Sequence, residues 1–129
     1  MKTAYIILSF SLFFTLNALS QSSKTVSSLT TVSFKKILDS KSVTLIDIRT
    51  KPEFAAGHIP GAINIDLSDP DFVYLVKKRI KKNKPLAIYC RSGHRSKIAI
   101  SKLGYVNVMI YELDQGFIDW QKAGFPVKK

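Results

Sequence analysis

The sequence holds one cysteine, Cys90, one tryptophan and two histidines, His58 and His94, among 129 residues. A single thiol excludes an intrachain disulfide, and ligands this few exclude a zinc site built from cysteines. Nothing in the chain points to a metal or another cofactor. Long apolar runs are scarce as well. The longest, Ala4 to Leu16, falls short of the roughly 20 residues of a membrane span and is broken by Ser9, Ser11 and Thr15. Acids are the rarer charge: 9 Asp and Glu stand against 20 Lys and Arg, a formal net charge of +11. That balance favours anionic partners, from small oxyanions to lipid surfaces. Internal repeats are absent, and the length suits one domain.

What is present begins with "MKTAYIILSFSLFFTLNALS", residues 1–20. Lys2, the apolar core and the small residues Ala18 and Ser20 have the three-part layout of a secretory signal peptide cut after Ser20. The expected destination is the periplasm or the exterior. No cysteine follows the apolar core, so lipoprotein processing has no acceptor. Residues 21–31, "QSSKTVSSLTT", read as a flexible lead-in ending in a short strand near Leu29–Val32, and residues 32–127 as the folded domain.

Within that domain, buried-strand runs alternate with helical patterns. Ser33 suits the cap of a helix that turns Phe34, Ile37 and Leu38 inward. "VTLIDI" (43–48), "PLAIYC" (85–90) and "YVNVMIY" (105–111) read as strands, with a shorter one over Ala62–Ile65. Pro52 opens one helical turn closed by Gly57. Asp69 and Pro70 suit the start of a helix over 68–84, with Phe72, Val76 and Ile80 on one face. Arg95–Leu103 gives the next helix, with Ile98, Ala99 and Leu103 inward and Gly104 ending it. A last helix covers Gly116–Ala123. Strand–helix alternation predicts an α/β domain: a parallel sheet with helices on both faces. Active sites in such sheets lie at the carboxyl ends of strands, and Cys90 ends one.

A lone cysteine after a buried strand is commonly an inert small hydrophobe. "CRSGHRS" argues otherwise. A strand–loop–helix with Gly93 in the loop aims backbone N–H groups at one point, and the helix start adds partial positive charge. Arg91 and Arg95 add cations able to fork onto an oxyanion. Each favours thiolate over thiol, and the thiolate is the nucleophile. Such a thiol is expected to stand exposed. Ser92 and Ser96 offer hydroxyls, Ser96 also as a helix cap, and His94 could contact substrate.

Together, "LIDIRTKPEFAAGHIPGAINI", "CRSGHRS" and "LDQGFIDWQKAGFPV" resemble a single-domain rhodanese, a sulfurtransferase, over about Val32 to Val127. The resemblance implies a five-stranded parallel sheet with helices on both faces. It implies that Cys90 takes a sulfane sulfur from thiosulfate or a similar donor, holds it as a persulfide, and yields it to cyanide or a thiol. Residues Cys90 to Arg95 would form the active-site loop, with Arg91, Ser92, Gly93, His94, Arg95 and Ser96 around substrate. Asp47, Arg49, Glu53, His58 and Gly61 match motif positions of structural character. Gln115 departs from the pattern, which has a glycine there.

Other functions compete. Phosphatases and arsenate reductases of related fold place arginine six positions after the cysteine, whereas Arg95 follows Cys90 by five. The shorter loop suits sulfur over phosphate. A non-enzymatic sulfur carrier or partner-binding module would keep the same persulfide. Lys77, Lys78, Arg79, Lys81, Lys82 and Lys84 form a solvated basic run that could also touch an anionic membrane. Nucleic acid is not expected, since no aromatic residues interleave the cations. A monomer is expected.

Overall fold

In the computed structural model, which describes residues 25–129, five strands pair in parallel in the order β1-β5-β4-β2-β3. The expected signal peptide over 1–20 lies outside the described residues. Along the chain the elements are β1 (Val26–Leu29), α1 (Thr31–Ser40), β2 (Thr44–Asp47), α2 (Lys51–Ala56), β3 (Ile63–Asn64), α3 (Phe72–Arg79), β4 (Leu86–Tyr89), α4 (His94–Leu103), β5 (Ile110–Leu113) and α5 (Gly116–Lys122). Among the described residues no helix is long and apolar enough to cross a membrane.

The central strands β2 and β4 are buried at every position, as their unbroken apolar runs require when both sheet faces are covered. Side-chain alternation divides the core into two. Ile46, Ile48, Leu86, Ile88, Cys90 and Ile110 pack with Phe72 and Val76 of α3 and Ala99 and Leu103 of α4. Leu45, Ala87, Tyr89 and Leu113 pack with Phe34 of α1 and Phe117 and Trp120 of α5. Helices therefore cover both faces, as the alternation of elements predicts.

Several boundaries differ from the sequence-based expectation, each for a local reason. The lead-in expected over 21–31 is, from Val26 on, the edge strand β1, paired residue for residue with Ile110–Leu113. The strand expected at Leu29–Val32 thus lies earlier, and Thr31 already begins α1. Thr30, in extended backbone, caps that helix by accepting from the Ser33 amide, so the cap is Thr30 and Ser33 lies inside the helix. Asp69 and Pro70 do not open α3. Asp69 instead folds a turn, its carboxylate accepting from the Asp71 amide at 2.8 Å, and the helix starts at Phe72. It stops at Arg79 rather than 84, where Ile80 turns to extended backbone, and Asn83 takes a positive φ in the turn that leads to β4. Ile98 is 40% exposed; Ser96, not Ile98, joins Ala99 and Leu103 on the inner face of α4. The strand expected over 105–111 begins only at Ile110.

Because the strands are parallel, all their carboxyl ends share one edge. Cys90 follows β4 directly and sits there. The basic run 77–84, at the end of α3 and just before β4, lies at the opposite edge.

Candidate active site

Cys90 is 0% exposed, its sulfur roofed by the loop that follows it. The thiol is therefore covered, not exposed as the sequence led us to expect. Two backbone amides point at Sγ: that of Gly93 at 3.1 Å and that of Ser96, in the first turn of α4, at 3.3 Å. The amides of Arg91, Ser92, His94 and Arg95 are engaged by no other group of the described residues. Gly93 makes this geometry possible. It adopts φ +92° at the N-cap of α4, a conformation glycine enters without penalty. The result is a nest of N–H donors at a helix start, a place where negative charge on sulfur is stabilised.

The loop is held from outside by the turn between β5 and α5. The Phe117 amide donates to the Cys90 carbonyl at 2.9 Å and the Ile118 amide to the Arg91 carbonyl at 3.0 Å. A Cβ on Gly116 would lie 2.4 Å from the Arg91 carbonyl, so only glycine lets the two backbones approach. Gln115 is exposed, with φ −94°, and donates to Asp114 at 2.8 Å. A side chain is thus tolerated at the first position of the pair and forbidden at the second, which is why the departure at Gln115 does no harm to the loop.

The early motif supplies two ion pairs. Asp47 and Arg49 are both buried, joined by Nε at 3.0 Å and Nη2 at 2.7 Å, with Nη2 also donating to the Gly57 carbonyl. Burial opposes the charge on Arg49, but the bonds to Asp47 outweigh it and hold its pKa above the usual value. The guanidinium lies 4.2 Å from the centre of the Phe117 ring, a cation–π contact. His58 stacks on Phe54 at 3.7 Å and its Nδ1 lies 2.9 Å from the Phe54 carbonyl, while its backbone pairs with Lys128. Gly61 has φ +85° in an open turn. Asp47, Arg49 and His58 form scaffold, whereas Gly61 lies apart, beside Leu38, Lys41 and Val43.

Glu53 joins the loop directly. Its two carboxylate oxygens take both Nη atoms of Arg95 at 2.8 Å each, and it completes a capping box with Thr50. The Arg95 fork lowers the Glu53 pKa from 4.5 to about 2 against the opposing effect of burial. A depressed carboxyl contributes stability that is present above its unfolded value and lost as pH falls through the folded one. Glu53→Gln should therefore flatten the loss of stability between pH 4.5 and about 2. At neutral pH it should cost about 1–2 kcal/mol, since the pair is partly screened by solvent. Urea midpoints measured across pH check this.

With Arg95 occupied by Glu53, the loop cation left facing solvent is Arg91. It lines a cleft of about 310 Å³ together with Arg49, Glu53, Gly57, Phe117 and Gln121. Ser92 and His94 are exposed at the loop's outer side, and Gly93 and Ser96 are buried beneath it.

Two residues that the sequence did not single out stand under the loop. Glu112 on β5 is 1% exposed and accepts from Ser96 Oγ at 2.6 Å, from Lys97 Nζ at 3.1 Å, and from Ser28. Lys97 also donates to Asp114 at 2.9 Å and to the Gly93 carbonyl at 3.3 Å. Burial works against the Lys97 charge, yet its bonds to Asp114 and Glu112 raise its pKa, and Lys97 in turn lowers that of Asp114. The available signal was an acid inside the apolar strand "MIYEL".

Known proteins resemble this chain in sequence and in fold. The model of the rhodanese-like domain matches residues 30–123. A sulfurtransferase of Allochromatium vinosum is 35% identical over 96 residues, covering 72% of this chain and 85% of that protein. Thiosulfate sulfurtransferase 16 of Arabidopsis thaliana is 32% identical over 95 residues, covering 64% and 78%. The crystal structure of a rhodanese-related protein from Thermoplasma volcanium aligns with a TM-score of 0.67 at 26% identity, covering 78% of this chain and 96% of that one. Two other curated relatives are longer, and the match spans 37% and 51% of them.

Proposed function

The chain belongs to the rhodanese-like family, among sulfurtransferase relatives, and from that premise we propose that it is an exported thiosulfate sulfurtransferase working through a persulfide on Cys90. The observation that carries the reading is the pair of amides, from Gly93 and Ser96, aimed at Sγ at the start of α4. Export rests on the layout of residues 1–20.

In the first half-reaction the Cys90 thiolate attacks the outer sulfur of thiosulfate. The S–S bond of the donor breaks, sulfite leaves with the bonding pair, and Cys90 carries a persulfide whose outer sulfur is anionic. In the second, cyanide or a thiolate attacks that outer sulfur, the Cys90–sulfur bond breaks, and Cys90 leaves as thiolate. Negative charge thus sits on sulfur throughout, and fixed N–H donors stabilise it without reorganising. Amides of the loop not directed at Sγ are available to the outer sulfur. Since Sγ is 0% exposed, the loop over it must move to admit the donor, which makes opening part of the reaction. Burial also shields the thiol from oxidation outside the cytoplasm, where an exposed thiolate climbs the oxidation ladder.

Arg91 would meet the dianionic donor. A charge-assisted hydrogen bond is worth about 1.5–3 kcal/mol, so Arg91→Ala should raise KM for thiosulfate about tenfold or more, with a smaller change in kcat. The deciding experiment measures the intact mass of the protein from its native host before and after thiosulfate, together with thiocyanate formed from cyanide. A chain starting at Gln21 that gains one sulfur and turns over meets the proposal. A mass gain without turnover points to a sulfur carrier, and neither signal refutes sulfur transfer from thiosulfate altogether.

A further inference from the structure

We propose that Glu112 is a positioning residue for the sulfur cradle, acting on Cys90 through Ser96 and Lys97; as a role in sulfur transfer this rests on Cys90 being the nucleophile. A carboxylate that is 1% exposed in an apolar strand is costly to bury, and an aliphatic side chain would suit that face of the sheet better. Its hydrogen bonds show what it does there.

Ser96 has one hydroxyl proton and two acceptors in range: the Gly93 carbonyl at 3.0 Å and Glu112 Oε1 at 2.6 Å. The carboxylate is the stronger acceptor and the nearer one, so the proton goes to Glu112. The Gly93 carbonyl is then served by the Lys97 ammonium at 3.3 Å, which also donates to Glu112 at 3.1 Å. Glu112 accordingly ties Ser96 directly, and Gly93 through Lys97, to β5. Those are the two residues whose amides point at Sγ. Strand β5 is itself fixed by pairing with β1 and β4, which makes it a rigid post for the roof of the cradle.

Charge alone cannot be the role, because a carboxylate near Cys90 disfavours a thiolate and Lys97 offsets it. The other charged or titratable groups around Cys90 are Arg91, His94 and Arg95 from the loop and α4, Asp47 and Arg49 at the end of β2, Glu53 from α2, and Asp114 after β5. A substitution at position 112 removes none of these groups.

The test compares Glu112→Ala, Glu112→Gln and Ser96→Ala with the unmodified chain. It reads the iodoacetamide alkylation rate of Cys90 at neutral pH, kcat and KM for sulfur transfer, and thermal melting. Glu112→Ala should lower kcat about tenfold, the lower end of what outer-shell partners cost in metal sites, and should speed alkylation by loosening the roof over a thiol that is 0% exposed, while Glu112→Gln should stay within about threefold of the parent in both. The glutamine oxygen still accepts from Ser96. KM for thiosulfate should hold, since Arg91 is untouched. Ser96→Ala should speed alkylation as well. A merely structural role would lower the melting temperature and leave these rates unchanged in folded protein.

A folded Glu112→Ala that alkylates at the parent rate or more slowly overturns the proposal, as does a glutamine variant whose kcat falls as far as that of alanine. Should Glu112→Ala not fold, Ser96→Ala decides: an unchanged alkylation rate refutes the tether. If the unmodified chain forms no persulfide, the functional reading fails while alkylation still reports whether Glu112 positions the thiol's surroundings.

Discussion

Cys90→Ser is expected to abolish both the sulfur mass gain and thiocyanate formation, a loss of at least about 1000-fold by comparison with other nucleophile deletions. The chain has no second cysteine, so no other thiol can take over the sulfur. A serine hydroxyl stays protonated at neutral pH, and the groups hydrogen-bonded at this position are two backbone amides, neither of them a base. The nearest acids, Asp47, Glu53 and Glu112, are committed to Arg49, Arg95 and to Lys97 with two serines. The fold should survive the change. Cys90 is one small member of the core shared by α3 and α4, and a serine oxygen can still accept from the Gly93 and Ser96 amides. Melting within about 4 °C of the parent corresponds to a cost near 1 kcal/mol for a domain of this size. Mass spectrometry and a melting curve on the same sample make the check. Retained sulfur loading in a folded Cys90→Ser protein would place the chemistry on another group and refute the assignment.

The parts of this site that neighbouring residues determine were legible in the sequence. "PLAIYC" followed by "RSGHRS" specifies a buried strand, a glycine turn and a helix start, and these place Cys90 at the carboxyl edge of the sheet. What the sequence did not show depends on groups far apart in the chain. Arg95 reads as a cation for substrate until Glu53, 42 positions earlier, is found holding both its Nη atoms. Glu112 reads as an oddity in a strand until Ser96 and Lys97 are seen above it. The edge strand β1 has weak local character, "VSSL", and exists because Ile110–Leu113 offers it a partner. Capping choices between near neighbours, Thr30 or Ser33, turn on which residue is extended, and composition does not separate them.

Gly93→Ala is expected to dismantle the cradle. Two costs act at this position, and they can be separated. The first is conformational: φ is +92°, where alanine loses about 1 kcal/mol or more relative to glycine. The second is collision. A Cβ at Gly93 would stand 1.8 Å from the Asp114 carbonyl oxygen and 3.0 Å from its carbon, with Lys97 Nζ at 3.3 Å. The lysine can swing away, but the carbonyl cannot easily follow. Asp114 is anchored by its amide on the Leu29 carbonyl at 3.0 Å, and Gly116, two residues on, is packed on Arg91. The loop must therefore move, taking the Gly93 amide off Sγ. Losing one such donor to the reacting charge should cost about 100-fold in sulfur transfer, and stability should fall by about 2–4 kcal/mol. Gly61→Ala supplies the control, since Gly61 has φ +85° yet nothing within 4 Å of a Cβ. It should show the conformational cost of about 1 kcal/mol alone, with sulfur transfer unchanged. Urea unfolding and the thiosulfate assay on both variants test the distinction. Equal losses at the two positions would mean that backbone strain, and not the collision with Asp114, is why this loop requires glycine.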